Sequence, residues 1–304
     1  MFQNGAGPSI CVSVRDYAEQ WLRRRRQRLA PRTVERYRDI LDRQLLPAIG
    51  NAAVECVTRR ALCVVFDDLV AAGRKPSTVR LACALVTAIL NDAVDADLLA
   101  TNPAQRLVRR YPASTDEAAF FTRAELSLFL ETATRSAPAL SPYFRLLAGT
   151  GLRVGEGRGL RVLDVDRPRK TLTVSRQVDR LGRLREVTKG RRRRLVPIPD
   201  ALLGTLDALC ADRGRTAWLF PELIDAGGYK RLWKAMREIT AEAKLRAASP
   251  KAFRHSYASY LISEGVDAES VRGALGHASL ALIDEVYGHH MPVRRHPIYD
   301  SMKA

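Results

Sequence analysis

The chain lacks any apolar run long enough to cross a bilayer. Its longest, such as ALCVVF from Ala61 to Phe66, stop after a few residues, against the roughly 20 that a spanning helix needs. The first stretch, MFQNGAGPSI, has neither the basic patch nor the apolar segment of a secretion signal. Together these absences predict a soluble protein of the cytoplasm with no membrane partner. The five cysteines, Cys11, Cys56, Cys63, Cys83 and Cys210, include no CxxC pair. That argues against zinc ligation or a disulfide framework and predicts small buried thiols in a reducing compartment. The glycines of GTGLRVGEGRG, Gly149 to Gly159, do not fall at GxGxxG spacing, follow no clear strand and lead to no Gly-Lys-Ser/Thr, which argues against a nucleotide loop. No internal repeat or extended low-complexity segment is present. Acidic side chains are also scarce: 33 Asp and Glu stand against 50 Lys and Arg, a formal net charge of +17. So basic a balance points to a polyanionic partner, bound through phosphate contacts that weaken as salt rises. The alternative is a basic surface that serves only solubility.

With 304 residues the chain has material for two cores of ordinary domain size. In the first part, SVRDYAEQWL places Val14, Tyr17, Ala18, Trp21 and Leu22 at helical spacing behind Ser13, a suitable N-cap, with Arg23, Arg24, Arg25, Arg26 and Arg28 on the opposite face. Further helices are predicted from Pro31, from Thr58 to a stop at Gly73, and from Pro76-Ser77, the last with Val79, Cys83, Val86, Leu90 and Val94 on one side. Four helices with short links make a compact all-α module. Asn102-Pro103, Pro112 and the turn formers Ser114, Thr115 and Asp116 then break the pattern and mark a boundary. Beyond it Thr122 opens a Thr-x-x-Glu capping box. TLTVSRQV, LGRLREVT and RLVPIP predict a three-stranded antiparallel sheet with a turn around Asp179 to Gly182. Helices resume near Asp200, Tyr229, Pro250 and Asp267. The fold class expected is mainly α with a small antiparallel β-sheet. The densest run of cations, RLGRLREVTKGRRRRL, reads as a finger pressed against DNA.

Three stretches carry candidate chemistry. The glycines around Arg153 let the backbone turn tightly, and Glu156 is close enough in sequence to orient its guanidinium. PKAFRHSYASYL sets Lys251 and Arg254 three apart on one helix face; alone, this is an ordinary solvated basic face. What changes the reading is its company: LGH at Leu275 to His277 and VYGHH at Val286 to His290 follow closely. Adjacent His289 and His290 cannot easily face one ion, which argues against a metal site with His277.

In these stretches the chain resembles the tyrosine recombinases, the phage integrases and Xer-type resolvases. TGLRVGE, VTKGRRRRLVPIP, KAFRHSYAS, LGHAS and EVYGHHMP match that family's motifs in order, and YAEQWL, LAPRTVERY, LLPAIG, KPSTVR and ATNPA are similar to its helical core-binding domain. The resemblance implies a two-domain C-shaped DNA clamp. Residues 11–110 would be a helical core-binding domain, 111–119 a linker, 120–291 a mixed α/β tyrosine recombinase catalytic domain and 292–304 a C-terminal tail that docks on a neighbour. It implies catalytic Arg153, Lys189, Lys251, Arg254 and His277 around the nucleophile Tyr287, with Glu156, His255 and His289 in support and His290 at the surface. DNA contacts are expected from Arg23, Arg24, Arg25 and Arg26 and from Arg191, Arg192, Arg193 and Arg194. The implied partners are double-stranded recombination sites, a homo-tetramer assembled on paired sites with a Holliday junction between them, and an accessory DNA-bending or directionality protein.

The chemistry is consistent with that resemblance. Ionising a tyrosine of pKa near 10 at neutral pH costs about 4 kcal/mol, so cationic help is needed. Two arginines bracketing the non-bridging oxygens would stabilise the charge of a pentavalent transition state without metal or cofactor. Lys189 would protonate the leaving 5′ oxygen, and His277 would either hydrogen-bond the phosphate or accept the tyrosine's proton. The covalent phosphotyrosine conserves the bond, so rejoining needs no ATP. Two departures stand out: Lys251 occupies a position where most relatives carry histidine, and Gly157 and Gly159 replace apolar helix formers, which predicts a short helix after Arg153. The rival readings are a type IB topoisomerase and a DNA-binding protein without catalysis.

Overall fold

In the computed structural model, which describes residues 11–111, 120–186 and 193–276, the Ser13 side chain accepts a hydrogen bond from the Asp16 amide at 3.1 Å and opens helix α1, Val14–Arg25. Its buried face is Val14, Tyr17, Ala18, Trp21 and Leu22, the five that helical spacing selects. Helix α2, Pro31–Ile40, begins on a proline whose missing N–H falls among donors that have no helical partner anyway. A π-helical turn, Leu41–Leu45, then leads into the short α3, Leu46–Ile49; the sequence reading has no counterpart for it. Pro47 offers no N–H and would press on the carbonyl four residues back in a regular helix, a strain that a wider turn relieves.

Thr58 caps α4, Arg59–Ala71, by accepting from the Ala61 amide at 3.2 Å, and Gly73 ends that run with φ of +68°. Helix α5, Pro76–Asp95, holds no unbroken apolar run of spanning length, since Arg80, Thr87, Asn91 and Asp92 interrupt it, yet its length and mean hydropathy match those of a membrane span. Val79, Ala82, Cys83, Leu85, Val86, Ile89, Leu90 and Ala93 are nevertheless buried in the core of this part of the chain, while Val94, expected on the same face, is only half-buried. The contacts divide the chain into two units, Met1–Asp116 and Glu117–Ala304. Of the expected linker, residues 112–119 lie outside the described residues, as does the expected tail, 292–304.

The second unit opens with the capping box. Thr122 Oγ1 accepts from the Glu125 amide at 3.2 Å, and Glu125 accepts in return from the Thr122 amide at 2.7 Å, starting α6, Arg123–Ser136. Helix α7, Ser141–Thr150, stops at Gly151, and α8, Val154–Arg158, has five residues, short as Gly157 within it and Gly159 at its end predict. Those glycines allow close approach: a Cβ on Gly157 would meet the Tyr143 ring at 3.1–3.2 Å, and one on Gly159 would lie 3.2 Å from the backbone of Arg176 and Gln177.

The expected single sheet is two. Strand β1, Val165–Asp166, pairs antiparallel with β2, Thr171–Val174; β3, Arg176–Val178, pairs with β4, Leu184–Glu186; and β5, Arg194–Pro197, pairs with β2. TLTVSRQV is thus split at Ser175. Helix α8 lies against β3, where a Cβ on Gly155 would come within 2.8 Å of the Val178 carbonyl, so β3 is held by α8 and β4, not beside β2. Among the described residues, four α-helices follow: α9, Asp200–Cys210; α10, Gly228–Glu242; α11, Lys251–Ser263; and α12, Ala268–Leu275.

The core of this unit centres on phenylalanines. Phe129 lies 5.2 Å from Phe253 and 5.3 Å from Phe144 between ring centroids, and Phe121 lies 5.6 Å from Phe253. All four are fully buried, each stabilising by roughly 1.5–3 kcal/mol. Because Phe253 anchors α11 in this cluster, its neighbour Arg254 is fixed in place. At the end of α8, fully buried Arg158 donates to the carbonyls of Leu223 at 2.7 Å, Asp179 at 2.9 Å and Asp225 at 2.8 Å. The cysteines depart from expectation: only Cys83 is buried, Cys63 and Cys210 are half-buried, and Cys11 and Cys56 are exposed. Cys11 precedes α1, and Cys56 lies in a 3-10 turn whose buried residue is Val54, so neither sits on a helix's core face.

Candidate active site

The first turn of α11 sorts its polar residues by depth. Ala252, Phe253 and Arg254 are buried, His255 is half-buried and Lys251 is exposed. Spacing places Lys251 and Arg254 on one face, yet Arg254 is drawn inward, its Nη1 donating to the Gly151 carbonyl at 2.9 Å and its Nη2 to the Leu275 carbonyl at 2.6 Å. Gly151 can serve there because its φ of +61° turns the chain sharply after α7; a Cβ would strike the Tyr257 ring at 2.4 Å. Burial, and then the charges of Lys251 and Arg254, push the His255 imidazole below its ordinary pKa and favour its neutral form.

Two residues past Gly151, Arg153 stands at the N-terminus of α8. Its amide donates to Glu156 Oε2 and its Nη1 to Glu156 Oε1, both at 2.9 Å, the partner that sequence proximity suggests. Its Nη2 reaches the Gly276 carbonyl at 3.1 Å. Arg194, expected among the DNA-facing cations, is instead turned inward: it grips both Glu156 oxygens, at 2.9 and 2.7 Å, and its Nε reaches the Ala274 carbonyl at 3.3 Å.

Three guanidinium groups therefore end on three successive carbonyls, Ala274, Leu275 and Gly276. These belong to the C-terminus of α12, where carbonyls lack helical partners and the helix dipole is negative. Gly276 has φ of +64°, a backbone state suited to glycine, and directs these oxygens to the arginines immediately before His277 in the chain. Spacing does not reveal this convergence, since it joins α7, α8, β5, α11 and α12.

Burial would raise the Glu156 carboxyl, but its hydrogen bonds and attraction to Arg194, followed by Arg153, hold it down to about 2. A carboxyl depressed from 4.5 contributes stability above its unfolded pKa and loses it as pH falls towards the folded value. The expected difference in unfolding free energy between wild type and Glu156→Gln is about 3 kcal/mol at pH 7, shrinking from about pH 5 down towards pH 2. Denaturation at stepped pH measures it; a difference that stayed constant to pH 2 would contradict this role for the carboxylate.

The other expected contacts are distributed unevenly. Arg23, Arg24, Arg25 and Arg26 are exposed; Arg24 pairs with Asp92 at 2.5 Å, and Arg25 lies over the Trp21 ring at 5.3 Å. Arg193 is exposed, Arg180 stacks on Tyr229 at 4.4 Å and Arg185 pairs with Asp179 at 3.2 Å. Lys189, Arg191, Arg192, His277, Tyr287, His289 and His290 lie outside the described residues. Among the described residues, no three His, Cys, Asp or Glu side chains gather as metal ligands would.

Comparison with known proteins gives a consistent picture. The sequence model of the phage integrase family matches residues 119–293, and that of the phage integrase central domain matches residues 14–110. A tyrosine recombinase XerC-like protein of Caldanaerobacter subterraneus subsp. tengcongensis is 25% identical over 76% of this chain and 66% of its own. Tyrosine recombinase XerC of Myxococcus xanthus is 33% identical over 45% of each chain. The chain thus spans less than two thirds of the length of these curated relatives. Among solved structures, the Tn1549 transposon integrase in complex with transposon right end DNA has a TM-score of 0.83 at 18% identity, covering 96% of this chain and all of that one. A lambda integrase dimer bound to a COC′ core site has a TM-score of 0.71 at 15% identity, covering 93% and 78%. At these identities the likeness is one of fold.

Proposed function

The chain belongs to the phage integrase family, and we propose on that basis that it is a tyrosine-type site-specific DNA recombinase that cleaves and rejoins strands through a 3′-phosphotyrosine. The observation that carries this reading is the convergence of Arg153 and Arg254 on the Gly276 and Leu275 carbonyls, immediately before His277. Two fixed cations placed together suit the two non-bridging oxygens of one phosphodiester, where charge develops as the fifth bond to phosphorus forms. The Tyr287 oxygen attacks phosphorus, the bond to the 5′ oxygen breaks and Lys189 gives that oxygen a proton. His277 accepts the tyrosine's proton or, where it binds the phosphate instead, that proton passes to solvent. Lys251, exposed at the start of α11, offers an ammonium donor where an imidazole is usual in relatives. Rejoining reverses these steps with the 5′ hydroxyl of another strand as nucleophile, which conserves the phosphodiester energy.

In this proposal the exposed Arg23 to Arg26 and Arg193, together with Arg191 and Arg192, hold phosphates. Four protomers exchange strands between paired sites in the cytoplasm, assisted where needed by a DNA-bending or directionality protein, with no metal or cofactor. The test supplies two duplexes carrying the genomic sequence that flanks the coding region and follows strand-exchanged junctions. The expected result is junctions that appear without metal or ATP, together with DNA affinity that falls linearly in log–log form as salt rises. Relaxation of plasmids lacking such sites, with no junctions, would favour a topoisomerase. Binding without either product would favour a DNA-binding protein without catalysis.

A further inference from the structure

We propose that Arg194 is a positioning residue that aligns Arg153 by bridging Glu156 to the C-terminal turn of α12; this role rests on the recombinase reading. Its place at the end of GRRRR suggests one more phosphate contact, but Nε, Nη1 and Nη2 each donate within the protein and its side chain is only 17% exposed. Glu156 Oε1 accepts from both Arg153 Nη1 and Arg194 Nη1, and Oε2 accepts from the Arg153 amide and Arg194 Nη2. Two guanidiniums share one carboxylate, itself 8% exposed. Arg194 also donates from Nε to Ala274 O, two residues before the Gly276 carbonyl that holds the other end of Arg153. It thus touches both supports of Arg153, the carboxylate on α8 and the carbonyl turn after α12. Gly276 fits the same arrangement, since a Cβ there would lie 3.1–3.3 Å from the Arg194 side chain.

The chemistry requires arginine at this position. Three donors leave one planar group in different directions, so a bidentate grip on Glu156 and a bond to Ala274 form together; a lysine ammonium is a single point that cannot hold both carboxylate oxygens in the same geometry. Arg194 also begins β5, five residues after Lys189 in the chain, and through β5's register with β2 it fixes that end of the segment to the sheet.

The test compares wild type, Arg194→Lys and Glu156→Gln in single-turnover formation of covalent protein–DNA complex on nicked suicide duplexes. One duplex carries a normal scissile phosphate and the other a methylphosphonate, which lacks the charge that Arg153 would neutralise. Both variants are expected to lose about 100-fold on the normal phosphate, the scale of a misplacement near 1 Å, and about tenfold or less on the methylphosphonate. DNA affinity should remain within about threefold, because no phosphate contact is removed, and combining the two substitutions should cost little beyond either alone, since they break the same bonds. Equal losses on both substrates would assign Arg194 a purely structural role, and undiminished cleavage in Arg194→Lys would overturn any role; Glu156→Gln reaches the same bonds from the other side should the lysine variant fold poorly. Wild-type protein that forms no complex on either duplex would overturn the recombinase reading itself, an outcome distinct from variants that match an active wild type.

Discussion

Arg254→Ala is expected to slow covalent cleavage of DNA by about 10³-fold, the upper scale for removing one fixed donor from a developing oxyanion. The substitution also reaches the fold. Arg254 is buried and satisfies the carbonyls of Gly151 and Leu275, and leaving buried acceptors without donors costs roughly 1–3 kcal/mol each. Arg254→Lys separates the two effects: it keeps a charge near the phosphate while losing the planar group that reaches α7's end and α12's last turn together. Cleavage by the lysine variant should fall between wild type and alanine. Single-turnover rates at saturating protein, measured with thermal melts of each variant, make the comparison. An alanine variant that melts early yet cleaves at the wild-type rate would remove Arg254 from the phosphate site.

The second large effect falls on stability. Arg158→Met is expected to lower the unfolding free energy of the second unit by about 3–5 kcal/mol, because one fully buried guanidinium satisfies the carbonyls of Leu223, Asp179 and Asp225 and each buried acceptor left without a donor costs roughly 1–3 kcal/mol. Methionine fills part of the space and supplies none of these donors. The carbonyls belong to the β3–β4 turn and to the segment ahead of α10, so both should lose their hold on α8 and, with it, on Arg153. Denaturant titration followed by aromatic fluorescence, with Trp21 in the first unit and Trp218 and Trp233 in the second, should detect the loss in the second unit. A change below about 1 kcal/mol would mean that water replaces the arginine's donors at little cost.

Most helix starts were readable from the sequence because their causes are local, but α7, which has no side-chain cap, was not. Ser13, Thr58, Thr122 and Asp267 each cap a helix through an amide three residues on, and Pro31 and Pro76 begin helices where a missing N–H does no harm. Strand partners were not, because pairing is non-local: nothing within TLTVSRQV indicates that α8 lies against its second half and splits it at Ser175. The candidate site follows the same division. Arg153 with Glu156 is a pair visible in seven residues of sequence, and spacing sets Arg254 on the first turn of α11. What spacing missed is the turn that brings these arginines together, because the acceptors are backbone carbonyls, which every residue has. Arg194 stands apart from its neighbours for a related reason. Within a run of four arginines one looks like the next, and only the fold distinguishes the one facing Glu156.

A recombinase of this kind stands or falls on whether Tyr287 becomes covalently joined to DNA. The protein is incubated without metal or ATP with nicked suicide duplexes spanning its genomic flanking sequence, run on a denaturing gel, and the trapped complex is digested and mapped by mass spectrometry. The expected result is a complex whose DNA is attached by its 3′ phosphate to the peptide containing Tyr287, absent from Tyr287→Phe. A complex that persists in that variant, or DNA attached at another residue, would contradict it.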